Sequence, residues 1–299
     1  MTKDLCVGAL GFSGNYGNIN LTELTKSLKY IFRNYDLLDL STDYGINYNI
    51  LGTLKSLNIK DSDTSIIYKV GCNLFEAYNA NKLFNDSLKD INYFSPEKIN
   101  SILIHRPSID KLSSDIKFIN LIKGEYPSSL IGISTNSIEL FNAYNKEVDI
   151  DIIQMALNPL DFLFNQTLID KIYKSDTKIQ VRSVLSNGLL SGKYNGNTEF
   201  SDIMRSRLST KTNNAKYKRR IQVSLNLIDY ICKNYSVNIK DIPIFLYSLF
   251  EDMKNVQCVI RGASSFDQLV NNRKKVNICT HIKEDLFNKM LKEWSCEYV

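Results

Sequence analysis

Eight short apolar runs recur along the chain, and amphipathic stretches separate them. This alternation limits the fold more than any other feature. Strands that read as near-continuous apolar runs, each followed by a helix, belong in a parallel sheet covered by helices. The runs are Leu5 to Gly11, Asp36 to Gly45, Ser65 to Gly71, Ser101 to Pro107, Ser129 to Ser134, Asp149 to Met155, Lys178 to Ser183 and Val256 to Ile260. Helical period marks Leu21 to Phe32, where Leu24, Leu28, Ile31 and Phe32 share one face. Further helices are expected over Tyr48 to Leu57, Leu74 to Ile91, Asp110 to Ile122, Ser137 to Tyr144 and Thr167 to Tyr173. The remaining ones are Tyr217 to Asn234, Ile239 to Met253, Ser265 to Asn272 and Ile282 to Glu293. Eight strand–helix units make an α/β fold, a (β/α)8 TIM barrel, expected as a single domain over residues 1–299. A doubly wound sheet is the alternative, but it usually carries a glycine-rich first turn. Gly11-Phe-Ser-Gly14-Asn-Tyr-Gly17 lacks the G-x-G-x-x-G spacing and reads as a tight loop.

Composition agrees with a folded enzyme-sized barrel. The chain has 299 residues, of which 43% are hydrophobic and 23% charged, enough apolar matter for a sizeable core. A net charge of +5 is mildly basic. It does not indicate nucleic-acid binding, though it suits an anionic cofactor or substrate. The six cysteines form no Cys-x-x-Cys pair, and the two histidines lie away from any cysteine cluster. That pattern reads as reduced thiols without a zinc site. The start carries no secretory hydrophobic region, and no run reaches the roughly 18 apolar residues of a membrane helix. A cytoplasmic protein is expected, with no membrane partner, as a monomer or homodimer.

In a barrel, chemistry gathers at the C-terminal ends of the strands. Those ends carry Asp39 and Tyr44 after the second strand, Lys69 after the third and His105 after the fourth. A tyrosine, with a reference pKa of about 10, is a poor acid at neutral pH. A neighbouring lysine favours the phenolate, and a carboxylate keeps that lysine charged and placed. Histidine can orient a carbonyl oxygen or share the proton. The four together could protonate a carbonyl oxygen as a hydride reaches its carbon, or run the reverse, without a metal.

The residues in these positions resemble a known signature. Asp39-Leu-Ser-Thr-Asp-Tyr44-Gly45, Tyr68-Lys69-Val70-Gly71 and Leu103-Ile-His105-Arg-Pro107 are similar to the pattern of aldo-keto reductases. There an Asp-Thr-Ala-x-x-Tyr-Gly stretch precedes a lysine after strand three and a histidine after strand four. Leu40 and Ser41 stand where the family has Thr and Ala, a change expected to affect packing more than chemistry. The resemblance implies Tyr44 as general acid/base, Lys69 and Asp39 as its tuning pair, and His105 as the group that orients substrate.

The likeness continues along the chain. Ile131-Gly-Ile-Ser134-Thr135 resembles the Gly-Val-Ser-Asn motif after strand five, with Thr135 in place of asparagine. Ser134 and Gln154 then fall where the family holds the nicotinamide carboxamide. Val181 to Gly192 resembles the cofactor loop after strand seven, implying contacts from Ser183, Leu185 and Gly188. Arg182 stands there where many members stack an aromatic ring, and a planar guanidinium can also stack. Ile260 to Asn272 resembles the adenosine-phosphate motif, implying Gly262, Ala263, Ser264, Gln268 and Asn272 as cofactor contacts. Gly262 and Gln268 occupy positions where many members place Lys and Arg against the 2′-phosphate, with Arg261 nearby as a replacement. NADP(H) is the implied cofactor and NAD(H) the alternative.

Asn15-Tyr-Gly17, His105-Arg-Pro107 and Asn158-Pro-Leu-Asp161 most resemble a branch found in bacterial surface-polysaccharide biosynthesis. The expected activity is therefore NAD(P)H-dependent reduction of a small-molecule carbonyl, an aldehyde, ketone or sugar, or the reverse oxidation. The alternatives are a cofactor-binding barrel with a regulatory or scaffolding role, and an isomerase or dehydratase that uses bound cofactor transiently. Lys193, Arg205, Arg207, Lys211, Lys216, Lys218, Arg219 and Arg220 read as a solvated loop and helix face. The other reading of that segment is a cover for the cofactor pyrophosphate or for an anionic substrate such as a sugar nucleotide.

Overall fold

A computed structural model of the chain describes residues 4–14, 16–17, 19–41, 50–57, 63–70, 85, 89, 91–195, 198, 200, 202, 205 and 215–294. Eight parallel strands close into a barrel in sequence order. They are β1 Asp4–Gly8, β2 Leu37–Ser41, β3 Ser65–Val70, β4 Ile99–Ile104, β5 Leu130–Ser134, β6 Ile152–Ala156, β7 Lys178–Arg182 and β8 Val256–Gly262. The described helices are α1 Leu21–Asn34, α2 Ile50–Ser56, α3 Leu112–Glu125, α4 Ile138–Glu147, α5 Gln166–Ile172, α6 Ala215–Tyr235, α7 Ile242–Glu251, α8 Phe266–Asn272 and α9 Thr280–Lys292. The expected (β/α)8 architecture is therefore the one observed. The helix expected over Leu74 to Ile91 lies almost wholly outside the described residues. No described helix is long and apolar enough to cross a membrane.

Local chemistry explains the elements. The Asn20 side chain caps α1 by accepting from the Glu23 N–H at 2.8 Å, and Leu24, Leu28, Ile31 and Phe32 form its buried stripe. Ser137 and Ser265 cap α4 and α8 in the same way. The first strand is shorter than its apolar run: it stops at Gly8, and Ala9–Phe12 form a 3-10 turn. Within that turn the chain meets the residue that follows β8, since a Cβ on Gly11 would lie 1.8 Å from the Ala263 carbonyl oxygen. Only glycine lets the two backbones meet there.

Alternation along the strands divides the core in two. Outward residues such as Leu38, Leu40, Ile66 and Tyr68 join the large cluster under the helices. Inward residues Cys6, Leu37, Ile67, Leu103, Ile152, Cys258 and Ile260 form a smaller cluster inside the barrel. The interior is not wholly apolar. Between β3 and β4 the register skips Asn100, and between β7 and β8 it skips Gln257. Such bulges re-aim side chains. Here the Gln257 amide donates to Asn100 Oδ1 at 3.2 Å, and its oxygen accepts from Gln180 at 3.1 Å. Gln180 also donates to Ser101 Oγ at 2.9 Å and accepts from Gln154 at 3.3 Å. A column of amides thus runs up the barrel from its floor.

Candidate active site

That column ends at an ion pair. Lys69 and Asp39 lie on neighbouring strands, two residues out of register and so on the same face, because Asp39 pairs with Ile67 and Ser41 with Lys69. Both point inward, and Lys69 Nζ donates to Asp39 Oδ2 at 2.5 Å with the two side chains 1% and 4% exposed. Gln154 closes the arrangement. Its oxygen accepts from Lys69 Nζ at 3.1 Å, and its nitrogen donates to Asp39 Oδ1 at 2.9 Å. Burying two charges costs several kcal/mol per ion, and the pairing does little more than repay it. The pair is therefore poor value as a stabilising device and apt for holding an ammonium at a fixed point.

His105 follows β4 at the same end of the barrel. Its backbone N–H donates to the Val70 carbonyl at 2.7 Å, and its ring Nδ1 lies 2.8 Å from Ser41 Oγ. Ser41, expected to affect packing more than chemistry, also makes a polar contact here. Its hydroxyl belongs to the polar group at the strand ends. Tyr44 lies outside the described residues, with Asp43 and Gly45.

The proposed cofactor residues occupy an arc over β5 to β8. Ser134 ends β5 with 6% exposure, and among the described residues its hydroxyl makes no hydrogen bond. Thr135, where the family has asparagine, accepts from the Ser137 N–H at 3.1 Å and so supports the start of α4. Asn136 is committed to β6, donating to the Ala156 carbonyl at 2.8 Å and accepting from its N–H at 2.9 Å. Arg182 ends β7 half-buried. Beyond it Ser183, Ser186 and Asn187 all adopt left-handed backbone, at φ 60°, 46° and 56°. Non-glycine residues tolerate this at a cost, and such strain clusters at ligand-clamping loops. Leu185 and Gly188 lie within this turn, joined by a 2.9 Å bond from the Gly188 N–H to the Leu185 carbonyl.

After β8 the motif is held from behind. Gln268 accepts from the Ser264 N–H at 2.9 Å, and Asn272 donates to the Gly262 carbonyl at 2.9 Å. Both side chains thus shape the Gly262–Ala263–Ser264 backbone. Gly262 is exposed, and among the described residues only the Tyr247 hydroxyl comes within 4 Å of a Cβ built there. That hydroxyl accepts from the Gly262 N–H at 3.1 Å. Burial pushes the Tyr247 phenol up to about 12. Its folded value lies above the unfolded value of about 10, so its contribution to stability is complete below pH ~10. That contribution is lost as pH rises towards about 12, and urea midpoints are expected to fall across this window. Tyr247→Phe should flatten the fall.

Two arginines are not where the sequence suggested. Arg261 is fully buried on the outward side of β8, between inward Ile260 and exposed Gly262. It pairs with Glu251 Oε1 at 2.5 Å and donates to the carbonyls of Asn272 and, at 2.8 Å, Lys274. Strand alternation turns it away from the mouth, so it offers nothing to a 2′-phosphate. Arg220 is likewise no part of a solvated face. It is 6% exposed and holds Asp161 at 2.6 and 3.0 Å and Ser186 Oγ at 2.9 Å. It thereby ties the loop after β6 to the strained turn after β7. Arg205 packs against the rings of Tyr16, Tyr194 and Phe200, all within about 5.4 Å, and pairs with Asp202 at 2.7 Å. Lys218 and Arg219 are exposed as expected, and Arg207 and Lys211 lie outside the described residues.

Sequence reasoning missed Ser41 and Gln180 as polar partners. The signal was present: both fall on the inward phase of their strands, in step with Asp39 and with Arg182.

Solved structures share this architecture. The glycerol dehydrogenase of Gluconobacter oxydans is 16% identical at a TM-score of 0.72, with 98% of this chain and 93% of that one covered. The holo form of an aldo-keto reductase from Bacillus halodurans is 17% identical at 0.64, covering 98% and 94%. An aldo/keto reductase from Klebsiella pneumoniae, solved with NADP and acetate, is 10% identical at 0.66, covering 98% and 94%. No curated protein matches the sequence. The profile of the Aldo/keto reductase family matches residues 4–290, nearly the whole chain, and with this barrel and these strand ends the chain belongs to that family.

Proposed function

We propose that the chain interconverts a small-molecule carbonyl and its alcohol using a nicotinamide dinucleotide. The buried Lys69–Asp39 pair, on the strands that also carry the Ser41 contact to His105 and its Val70 anchor, is the observation that carries this reading. Lys69 biases the Tyr44 phenol towards ionisation, Asp39 keeps Lys69 charged, and Tyr44 gives its proton to the carbonyl oxygen or takes it back. His105 orients that oxygen. The polar groups present fit the cofactor. Ser134 has a hydroxyl to spare for the carboxamide, Arg182 offers a plane for the ring, and open backbone at Gly262 to Ser264 suits the adenosine phosphate. Ser183, Leu185 and Gly188 would line the dinucleotide between them, and Gln154, held by Asp39 and Lys69, would serve the carboxamide through its fixed amide. Bound there, the dinucleotide would supply the hydride to the carbonyl carbon.

A sugar or sugar nucleotide is the substrate class we favour, from the likeness of Asn158-Pro-Leu-Asp161 and its companion motifs to the polysaccharide-linked branch. Fluorescence titration with NADPH and NADH is the first test. Binding of at least one is expected in the micromolar range, about −8 kcal/mol. Failure of both would sink the reading. A cation on the 2′-phosphate is a charge-assisted contact worth about 1.5–3 kcal/mol. With Arg261 turned away and Gly262 and Gln268 uncharged, NADPH is expected to bind less than ~10-fold more tightly than NADH. A chain that binds cofactor but reduces no aldehyde, ketone, sugar or nucleotide sugar would favour a regulatory role instead.

A further inference from the structure

We propose that Ser41 is a positioning residue for the carbonyl site. Its hydroxyl donates to His105 Nδ1 and fixes the imidazole in the tautomer that carries its proton on Nε2. This rests on the reading of His105 as the group that orients the substrate oxygen.

The geometry is specific. Ser41 is the last residue of β2 and is 4% exposed, with Oγ 2.8 Å from Nδ1 across 64 positions of sequence. The His105 backbone is anchored separately, to Val70 on β3. Backbone and ring are therefore held by two different strands, which leaves little freedom of rotation. On β2 the serine sits two positions beyond Asp39, on the same inward face. One strand thus serves both polar partners of the site, Asp39 for Lys69 and Ser41 for His105.

The direction of the bond follows from proton counting. A neutral imidazole has one ring N–H, and a carbonyl oxygen has only lone pairs to offer. The nitrogen that meets the oxygen must carry the proton. Since Nδ1 faces Ser41, that nitrogen is Nε2. Nδ1 is then a bare acceptor, and the partner it needs is a donor. A hydroxyl supplies one; the alanine that the family pattern has at this place cannot do so through its side chain.

The chain contains only two histidines, and the other, His281, lies exposed on α9, so nitrogen NMR of histidine-labelled protein gives a readable spectrum. His281→Gln assigns the signals. The wild type is expected to show His105 with an unprotonated Nδ1 and a protonated Nε2. Ser41→Ala should move both signals towards a mixture of tautomers, and Ser41→Thr should restore them. With a turned-over carbonyl substrate, Ser41→Ala is expected to lower kcat about 3- to 10-fold, the scale of one lost hydrogen bond, with cofactor affinity unchanged. Ser41→Thr should recover it. A wild-type His105 protonated on Nδ1, or a Ser41→Ala spectrum identical to wild type, would overturn the proposal. So would a tautomer shift without any change in kcat. The tautomer is read without turnover, so a protein that reduces no carbonyl would defeat the activity assigned above and still leave the Ser41–His105 bond measurable.

Discussion

Tyr44→Phe is expected to cut turnover by about 10²- to 10⁴-fold, the usual contribution of a positioned proton donor, while NADPH and NADH still bind. A phenol at its ordinary value of about 10 is almost wholly neutral at pH 7. It becomes useful in both directions only beside a cation, and the chain holds one at the rim: Lys69, fixed by Asp39 at 2.5 Å and Gln154 at 3.1 Å. Lys69→Met should therefore lose turnover on the same scale. It should also lose stability, because Asp39 would be left buried and unpaired, at a cost of about 3–5 kcal/mol. The two effects can be separated. In the double variant Asp39→Leu/Lys69→Met the orphaned charge is gone, so the urea midpoint should recover while turnover does not. Recovery of turnover in that double variant, or normal turnover in Tyr44→Phe, would remove this proton-transfer assignment.

Arg261→Leu is expected to lower folding stability by about 3–5 kcal/mol without altering the preference between NADPH and NADH. The guanidinium is buried against Glu251 and caps the carbonyls of Asn272 and Lys274, so it joins β8, α7 and the end of α8. Its removal leaves the buried Glu251 carboxylate without its cation. The pair is not perfectly satisfied, since the buried Arg261 Nε has no partner. Arg261→Leu/Glu251→Leu should accordingly regain most of the loss, as replacing both ions of a buried pair often does. Urea denaturation of the single and double variants decides the first point, and paired cofactor titrations decide the second. A large rise in the NADPH dissociation constant alone would return Arg261 to the phosphate.

The contrast between Lys69 and Arg261 shows what could be read from the chain. Apolar runs place strands well, because burial on both faces of a parallel sheet demands them; the runs reach Asp39 within β2, Lys69 near the end of β3 and His105 just past β4. The phase within a run decides which way a side chain points, and neighbours then decide what it does. Arg261 lies one residue out of phase with Gly262, so its charge belongs to the scaffold. Arg220 looked like part of a basic surface because Lys218 and Arg219 precede it, yet the helix turns it onto Asp161. Its partner lies 59 positions away and could not be read locally. Leu5 to Gly11 looked uniformly extended, but the strand ends at Gly8, and the close approach of Gly11 to Ala263 beyond it is a tertiary event.

The amide column beneath the ion pair has a consequence for how this protein can change. Barrels commonly keep stability at one end and chemistry at the other, which lets new activities arise by loop exchange above an indifferent base. Here Asn100 holds Gln257, both skipped by the strand register at the floor, and Gln257 holds Gln180, which holds Gln154, which holds the charged pair. The two ends are mechanically continuous. A search for improved variants that treats the floor as neutral ground would meet losses of activity there, far from any substrate. A transplant of the rim onto another barrel would carry the reactive groups and leave behind part of what aligns them.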